Sequence, residues 1–400
     1  MGRILLLLVC LMGVIYSSYG QQQLNVVWDN GLRFKGGDGA YEIEVGGRLL
    51  YDVLFLEHDK YLDENIGPDA DKVEIRRARI SLEGYLRDAL EYEFEVSFAD
   101  EFEFKDMRVS FLKVPVVDAV TVGHFREPFG MEENTSSNNI PLMERSLTSA
   151  FGTSRNAGIM LQRQFFNNRL GVYTGAFRIT DDFGSDREAN GNHSISGRIA
   201  FVPVIDSTRN RVLHVGFGFN TKDPVGGVIE VETQNESNLA PSYIAGDLEN
   251  VNRVWLLGGE AGFSQGRFTL QSEYMHAFAR LLDVTAVMPG DDIQEFNSFY
   301  VTGAYFLKGG NRRYDNSDHT FAGIEVESPY PMAGAWEAAL RFSQIRLLDA
   351  PQEFSRMNDL TVGLNYYLSA TTRLMMNYIF SRIEEEHHAQ ALQFRLQLAF

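Results

Sequence analysis

Leu90-Glu-Tyr-Glu-Phe-Glu-Val-Ser-Phe98 alternates apolar and polar side chains almost without a break. The final stretch, Leu392-Gln-Phe-Arg-Leu-Gln-Leu-Ala-Phe400, has the same alternation. Successive side chains of a β-strand point to opposite faces, so a period of two gives one apolar and one polar face. Because similar alternation recurs along the chain and helical periodicity is rare, the sequence predicts an all-β protein.

Sixteen stretches of this kind are predicted as strands. Most are about ten residues long, which is the length that a tilted strand needs to cross a membrane. A weaker seventeenth candidate lies at 320–328, but bacterial single-chain barrels have even strand numbers. The sixteen strands are predicted at 41–52, 73–86, 90–98, 104–113, 117–126, 158–165, 169–179, 194–203, 211–221, 253–264, 267–279, 296–307, 335–345, 357–368, 372–382 and 391–400.

The connections between these strands alternate in length. The short ones are 87–89, 114–116, 166–168, 204–210, 265–266 and 369–371. The long ones are 53–72, 127–157, 180–193, 222–252, 280–295, 346–356 and 383–390, with 99–103 short among them. Short turns at one end and long loops at the other are typical of a transmembrane antiparallel β-barrel. Segment 308–334 is long where a short turn is expected, so it holds either an inserted hairpin or two further strands, which leaves 18 strands as the alternative.

A soluble β-sandwich that binds a ligand is the alternative fold, since its strands also alternate. A sandwich rarely needs sixteen long strands in one chain without linkers. The mean hydropathy of −0.19 also agrees with a barrel, because the inner side chains of a barrel face a wet lumen. With no linker or repeat to divide the chain, we expect one barrel domain at 21–400.

The first twenty residues have the pattern of a secretory signal peptide. Arg3 supplies the positive charge, Ile4 to Tyr16 form an apolar run, and Ser18-Tyr19-Gly20 predicts cleavage before Gln21. The apolar run is shorter than the roughly 20 residues of a spanning helix. Cleavage would remove Cys10, the only cysteine, so the mature chain would have no disulfide, thiolate metal site or cysteine nucleophile.

The charge of the chain is strongly acidic. It has 36 Lys and Arg against 54 Asp and Glu, a formal net charge of −18. Such a surface argues against a nucleic-acid partner, because phosphate contacts need clustered basic residues. Acidic residues in the predicted long loops, such as Asp59, Asp63 and Glu64, would either bridge lipopolysaccharide through divalent cations or simply be solvated.

Four motifs stand out along the chain: Val122-Gly-His-Phe-Arg-Glu-Pro-Phe-Gly-Met131, Pro141-Leu-Met-Glu-Arg-Ser146, Gly334-Ala-Trp-Glu337 and Gly363-Leu-Asn-Tyr-Tyr367. Together they resemble the phosphate-selective porin O and P family of bacterial outer-membrane porins. The C-terminal strand ending in Phe400 is similar to the assembly signal of outer-membrane barrels. The resemblance implies a homotrimer of 16-stranded barrels with one aqueous pore per subunit. It also implies a third long loop folded inward as the constriction, here Glu127 to Ala157.

The residues themselves also favour this loop as the constriction. Pro128 and Gly130 interrupt strand pairing just after Arg126, as expected of a chain that leaves the barrel wall. Loops longer than about 12–15 residues without secondary structure of their own are usually functional. An ordinary outer loop is the alternative interpretation.

Charged residues on the predicted inner face are the candidates for contact with a solute. Guanidinium groups suit phosphate because they donate two parallel hydrogen bonds. The alternative is that neighbouring carboxylates such as Glu83, Glu91, Glu93, Glu95, Asp106 and Glu337 neutralise the arginines. The predicted pore-lining set is Arg126, Glu127, Glu132, Glu133, Arg145 and Arg155 at the constriction, with Arg77, Arg79, Arg108, Arg198, Arg341 and Arg395 on strands.

The charge selectivity of the pore stays open at this point. Family members that prefer phosphate line the channel with arginines and a cluster of lysines, whereas this chain has only seven scattered lysines. The loop carries four glutamates against Arg145 and Arg155, and an anion funnel needs the opposite sign. We expect passive diffusion of small hydrophilic solutes, with anions including phosphate as the leading candidates. A general or weakly cation-selective porin is the alternative, and a non-conducting surface barrel acting as an adhesin or scaffold is another.

No motif predicts a cofactor, a metal site or an enzyme. Glu384-Glu-Glu-His-His388 has the residue types of metal ligands, but adjacent ligands in a hairpin loop lack fixed geometry, which favours a solvated turn. Ser110 and His124 have no third residue at a spacing that predicts a catalytic arrangement.

Overall fold

The computed structural model describes residues 24–28, 31–36, 39–99, 101–186, 192–206, 208–282, 293–347 and 354–400. The expected signal peptide at 1–20 and parts of the loops at 180–193, 280–295 and 346–356 lie outside these ranges. Among the described residues, no helix has the length and apolar character to cross a membrane.

Twenty-two strands account for most of the described chain. Sixteen of them form the closed wall, and the other six form three hairpins. The strands are β1 Leu24–Trp28, β2 Leu32–Gly36, β3 Tyr41–His58, β4 Ala70–Leu86, β5 Leu90–Ser97, β6 Glu103–Leu112, β7 Ala119–Arg126, β8 Arg155–Phe165, β9 Leu170–Arg178, β10 His193–Asp206, β11 Arg211–Lys222, β12 Ile229–Gln234, β13 Ser242–Leu248, β14 Val251–Gln265, β15 Phe268–Leu281, β16 Ile293–Lys308, β17 Gly310–Asp315, β18 Thr320–Val326, β19 Ala335–Leu347, β20 Arg356–Tyr367, β21 Thr372–Ile383 and β22 His387–Ala399.

The wall is a closed antiparallel barrel. Each wall strand pairs with the next one along the chain, and β22 closes the ring by pairing with β3 from Arg48 to His58. β1 and β2 form a hairpin whose second strand pairs with β3 at Glu42–Val45, beyond the end of β22. The prediction of a 16-stranded transmembrane barrel is confirmed, and each predicted strand overlaps one wall strand.

Segment 308–334 contains an inserted hairpin and no additional wall strands. β17 pairs only with β18, while β16 pairs directly with β19 from Phe296 to Lys308. The weak candidate at 320–328 is therefore the second strand of this hairpin. The 18-stranded alternative is wrong, because the sixteen wall strands close the barrel without β17 and β18.

The two faces of the wall differ as the alternation predicts. On β21, Leu374, Met376, Tyr378 and Phe380 are exposed on the outside. Asn377 and Ser381, which alternate with them, are buried inside the barrel. An apolar outer face and a polar inner face suit a wall between lipid and a lumen.

Three segments fold into the lumen and determine what remains open. The constriction loop, residues 127–154, leaves the wall between β7 and β8 and contains the helical turns Met131–Asn134 and Leu147–Phe151. The cap hairpin, β12–β13, enters from the same long-loop end, and a short 3₁₀ turn at Val225–Gly227 precedes it. The lumen hairpin, β17–β18, enters from the short-turn end. The remaining helix, Lys60–Asn65, lies in the first long loop.

Candidate functional site

The constriction loop begins at a buried carboxylate. Glu127 is 2% exposed and accepts hydrogen bonds from Ser194 at 2.6 Å, Asn156 at 2.7 Å and Asn220 at 2.8 Å, and also from Ser196. These donors lie on β8, β10 and β11. Neutral donors that surround a carboxylate satisfy its oxygens without a counter-charge. Glu127 thus ties the start of the loop to the wall.

A buried ion pair holds the middle of the loop. The Nη2 atom of Arg341, on β19, donates to Glu132 at 2.6 Å, and Ser146 donates to the same carboxylate at 2.7 Å. The backbone N–H groups of Met131 and Glu132 donate to Glu273 on β15 at 2.7 and 2.6 Å. Arg341 and Glu132 are 0% and 3% exposed at the side chain, so both charges lie away from the open lumen.

The loop crosses the barrel with its backbone carbonyl groups paired to side chains from elsewhere. Six carbonyl groups between residues 138 and 144 accept a hydrogen bond from a side chain of the wall or the lumen hairpin. A buried backbone group without a partner would cost free energy, so these donors are what allow the loop to stay inside the barrel. The pairs are Gln397 with Asn138, Arg312 with Asn139, Arg373 with Ile140, Asn365 with Pro141, Arg395 with Met143, and Arg341 with Glu144.

The lumen hairpin is held by buried polar contacts. Arg312 donates to Glu337 on β19 at 2.8 and 3.0 Å, and both side chains are 1% exposed. Arg198 on β10 donates to the carbonyl oxygens of Asp318 at 2.9 Å and His319 at 2.7 Å. The turn of the hairpin therefore lies against β8–β10, where Asn316 also donates to the carbonyl oxygen of Asn167 in the short β8–β9 turn. Arg312 connects the hairpin to the constriction loop.

The cap hairpin uses a glutamate in a similar way. Glu236 accepts hydrogen bonds from Ser343 and Thr361, each at 2.6 Å, and lies 3.3 Å from Arg341. Its backbone N–H donates to Asp359 at 2.9 Å. The cap hairpin and the constriction loop therefore share Arg341 as a common anchor.

Two cavities lie between the constriction loop and the wall. The first has a volume of about 290 Å³ and lies between the inner face of β3–β10 and the constriction loop. The second, of about 400 Å³, lies towards the long-loop end and is also lined by the cap hairpin. Arg77, Glu133 and Arg145 line both cavities, so they stand at the boundary between them.

Arginine is the commonest charged residue in the first cavity. Arg198 is 2% exposed and paired with Glu260 at 2.8 Å, so the other seven arginines face five carboxylates. The seven are Arg48, Arg77, Arg79, Arg108, Arg126, Arg145 and Arg155, and the carboxylates are Glu93, Glu95, Asp106, Glu133 and Asp318. The local balance is therefore positive, although the chain carries −18.

Most of these arginines have a carboxylate partner. Arg155 donates to Asp106 at 2.7 Å and Arg108 to Glu93 at 2.7 Å, while Glu95 accepts from Arg79 at 2.9 Å and also from Arg48. In the loop, Glu133 pairs with Arg126 and lies 3.3 Å from Arg145. Burial tends to raise the pKa of Glu133, but Arg126 and Arg145 outweigh it and lower the pKa. The loop carboxylate therefore stays ionised at neutral pH.

Arg77 differs from the other arginines of the first cavity in having two buried donor atoms without a hydrogen-bond partner, whereas Arg79 has one. The Arg77 side chain is buried, with 7% exposed, and its Nε and Nη1 atoms have no hydrogen-bond partner among the described residues. Nη2 is 3.8 Å from Glu144. Glu144 is itself held by Arg76 at 3.0 Å and Arg395 at 2.5 Å. Arg77 is thus a buried cation with free donors at the boundary between the cavities.

The structure places the twelve sequence-predicted pore residues in two groups. Eight of them line the first cavity: Arg77, Arg79, Arg108, Arg126, Glu133, Arg145, Arg155 and Arg198. Four others, Glu127, Glu132, Arg341 and Arg395, are buried and make the anchoring contacts described above. The alternation of inward and outward side chains along the strands had already placed Glu93, Glu95 and Asp106 on the inner face. It gave no signal for Asp318 or Glu236, because both belong to inserted hairpins.

The acidic and histidine cluster of the last long-end loop is a hydrogen-bonded turn. Glu384 accepts from the backbone N–H of Arg356 at 3.0 Å, and the backbone N–H of His388 donates to Asp59 at 2.7 Å. In the described part of the chain, no three His, Cys, Asp or Glu side chains are grouped in a way that could hold a metal ion.

Removing the charge of Glu132 is expected to loosen the constriction loop. Glu132→Gln takes one partner from a buried ion pair, which typically costs about 3 kcal/mol. The temperature at which the folded barrel is lost on a denaturing gel should fall, and open-channel current noise should rise. Glu64→Gln, at an exposed position in the first long loop, is the matched control. Unchanged noise and melting in Glu132→Gln would show that this pair does not hold the loop.

Known proteins share the fold and the sequence profile. The profile of the family described as phosphate-selective porin O and P matches residues 43–400. No curated protein matches the chain. Among solved structures, an anion-selective porin from Comamonas acidovorans is 14% identical, with 90% of this chain and 100% of that chain covered and a TM-score of 0.54.

Two further solved structures give similar values. The trimer form of OmpT from Vibrio cholerae is 11% identical, covers 90% of this chain and 99% of its own, and has a TM-score of 0.52. OprB from Pseudomonas putida at high pH is 9% identical, with 91% of this chain and 95% of that chain covered and a TM-score of 0.56. At such identities these structures show the fold alone. The profile match spans most of the chain, and the chain therefore belongs to the phosphate-selective porin O and P family, as an outer-membrane channel for small hydrophilic solutes.

Proposed function

We propose that this channel prefers anions, including phosphate, and that they pass through the two cavities beside the constriction loop. The observation that carries the proposal is the excess of arginine over carboxylate in the first cavity. A passage lined by one sign of charge between low-dielectric walls concentrates the opposite ion. Only five of the 54 Asp and Glu residues line this cavity, so its balance differs from that of the whole chain.

The fold also weakens the argument against anions that the loop composition suggested. Of the four loop glutamates, Glu127 and Glu132 are buried in anchoring contacts. Glu144 is paired with Arg76 and Arg395. Only Glu133 reaches the first cavity, where Arg126 and Arg145 flank it. Each of the four loop glutamates is therefore anchored to the wall or paired with arginine, and Glu133 and Glu144 also line the second cavity.

Arg77 is the proposed transient anion contact. Its unpartnered Nε–H and Nη1–H groups lie on different edges of the guanidinium group, and each can donate to an oxygen of a passing anion. The other arginines are shared with carboxylates, which keeps each contact weak. Conduction needs sites that are favourable enough to enter and weak enough to leave, so a series of such guanidinium groups suits rapid passage.

The experiment that tests this function is the zero-current potential of single channels in a planar bilayer under a KCl gradient, followed by titration with phosphate. An anion-directed potential, together with a chloride current that falls as phosphate is added, is expected. A neutral or cation-directed potential that phosphate does not change would identify a general or weakly cation-selective porin instead. Verified folded protein without channels would indicate a non-conducting surface barrel.

We also propose that residues 1–20 are a cleaved signal peptide and that 21–400 form one barrel domain. The charge and apolar run of the first segment support export. The single closed sheet supports one domain. At the long-loop end, the exposed residues Asp63 and Glu64 are available to bridge lipopolysaccharide through divalent cations.

A homotrimer is the proposed assembly, with β5–β7 facing the other subunits. These strands have 8, 10 and 8 residues, whereas β14–β16 have 15, 14 and 16. Eight residues are short for a lipid-facing strand, which needs about 9–11. Above the short strands, Phe98, Phe102 and Phe183 are exposed and pack together. A neighbouring subunit would cover both features.

The assembly is expected to depend on this aromatic cluster. Phe102→Asp places a charge in the proposed contact, which should convert trimers to monomers because an unpaired buried charge opposes association. Light scattering of the detergent-solubilised protein measures the mass. Val228→Asp, at an exposed position outside the cluster, should remain trimeric. A trimer in both variants would place the subunit contact elsewhere.

A further inference from the structure

The wall below the first cavity carries a row of carboxylates on neighbouring strands. Glu44 on β3 is paired in register with Glu83 on β4, and Glu83 with Glu93 on β5. Directly paired residues of an antiparallel sheet point to the same face. Since Glu93 lines the first cavity, all three carboxylates face the lumen.

Two further acidic residues extend this negative zone. Glu91 lies on the same inner face of β5 and is 48% exposed at the side chain. The side chain of Asp318 is exposed and lines the first cavity from the turn of the lumen hairpin. We call Glu44, Glu83, Glu91, Glu93 and Asp318 the exit carboxylates.

Few cations balance the exit carboxylates. Arg33 lies 2.9 Å from Glu44, and Arg108 lies 2.6 Å from Glu93 and 3.8 Å from Glu91. Like charges placed directly opposite each other destabilise a sheet. The row of Glu44, Glu83 and Glu93 therefore destabilises the barrel wall when no solute is present. A cationic group of a passing solute would reduce that repulsion.

The lumen therefore changes sign along its axis. Arg77 and Arg79 on β4 lie towards the long-loop end, and Glu83 follows on the same inner face towards the short-turn end. Arg77 independently indicates a ligand, because it is 7% exposed and has two donor atoms without partners. A simple anion meets attraction at the arginines and then repulsion at the exit carboxylates. A molecule with both charges finds a complementary surface in each zone.

We propose that the preferred solute is a small zwitterion, with a phosphate or carboxylate group and a primary ammonium group. The proposal rests on the anion pathway proposed above and names its substrate class. As the solute moves along the lumen, its anionic group contacts Arg77 and its neighbours first, and its ammonium group then offsets the repulsion at Glu83 and Asp318. The two contacts are successive, since Arg77 and Glu83 are six residues, about 20 Å, apart on β4. Electrostatic complementarity of this kind increases the specificity of a site more than its affinity, which suits a channel.

The test compares two probes of nearly equal size, O-phosphoethanolamine and ethyl phosphate, as blockers of the chloride current at pH 8. Both phosphate groups are then dianionic, since their second pKa is near 6. The half-blocking concentration of O-phosphoethanolamine should be roughly three- to fivefold lower, as expected for one solvent-exposed ion pair. In the double variant Glu83→Gln, Asp318→Asn, the two probes should block equally. Glu325→Gln, an exposed position on the lumen hairpin outside the cavity, should keep the preference.

Each result separates the two proposals. Equal block by the two probes in the unmodified channel would overturn the zwitterion preference, while the anion pathway would stand. A preference that survives in the double variant would also overturn it, because the exit carboxylates would not be its source. If neither probe blocks and the zero-current potential is not anion-directed, the anion pathway itself is wrong and the zwitterion proposal falls with it.

Discussion

Replacing Arg77 with glutamine is expected to lower the anion-to-cation permeability ratio about fivefold, since one unit charge close to a partly hydrated path contributes roughly 1 kcal/mol. The folded barrel should melt at nearly the same temperature, because Nε and Nη1 of Arg77 have no hydrogen-bond partner among the described residues. Removing a paired arginine such as Arg341 would instead leave Glu132 without its cation. Arg77 therefore allows a change of selectivity with little change of fold.

The measurement is the zero-current potential of Arg77→Gln in a KCl gradient, together with its unfolding temperature. Arg253→Gln is the matched control, because Arg253 is half exposed, pairs with Asp223 and lines neither cavity. An unchanged potential in Arg77→Gln would exclude Arg77 from the conducting path. A large fall in the unfolding temperature would mean that Arg77 supports the wall.

Lowering the pH should leave the carboxylate of Glu144 in the constriction loop ionised over a wide pH range. Burial tends to raise the pKa of Glu144, but Arg76, Arg395 and Arg77 outweigh it and hold the pKa well below 4.5. A carboxylate whose pKa is lowered by folding stabilises the fold above its unfolded pKa, and that stabilisation is lost only as the pH falls through the folded value. The constriction loop is therefore expected to stay docked at pH 5.

Removing the lumen hairpin should produce the largest change in conductance. Replacing residues 311–325 by a short glycine-containing turn clears one of the three segments inside the barrel, and we expect conductance to rise roughly two- to threefold, as in barrels whose lumen is less filled. Glu337→Gln should be included, because the deletion removes Arg312 and would leave the buried Glu337 carboxylate without its cation.

Single-channel conductance in a planar bilayer measures this effect. The double variant Arg313→Ala, Glu325→Ala is the matched control, since it removes an exposed ion pair of the same hairpin and should leave conductance unchanged. An equal conductance in the deletion and the unmodified channel would show that ions do not pass the hairpin. The deletion also removes Asp318, so its potential should become more anion-directed.

Local pattern was sufficient for much of the architecture. The alternation of Leu90–Phe98 and its equivalents determined the wall strands, because a period of two is a property of the strand itself. The alternation of short and long connections indicated the two ends of the barrel. Pro128 and Gly130 marked the point where the constriction loop leaves the wall. Segment 308–334 stayed ambiguous, because the strands of an inserted hairpin alternate like those of the wall.

The roles of the charged residues were decided only by tertiary structure. Strand alternation predicted Arg77, Arg341 and Arg395 alike as pore-lining residues of the inner face. In the structure, Arg77 borders both cavities, while Arg341 and Arg395 are buried and anchor the constriction loop. Arg341 pairs with Glu132 at a separation of 209 residues, and Arg395 with Asp52 at 343. An arginine becomes an anchor or a free cation according to which carboxylate or carbonyl group reaches it. Such partners come from distant strands and inserted segments, so periodicity determines the face of a side chain, and only the closed barrel determines its charge partner.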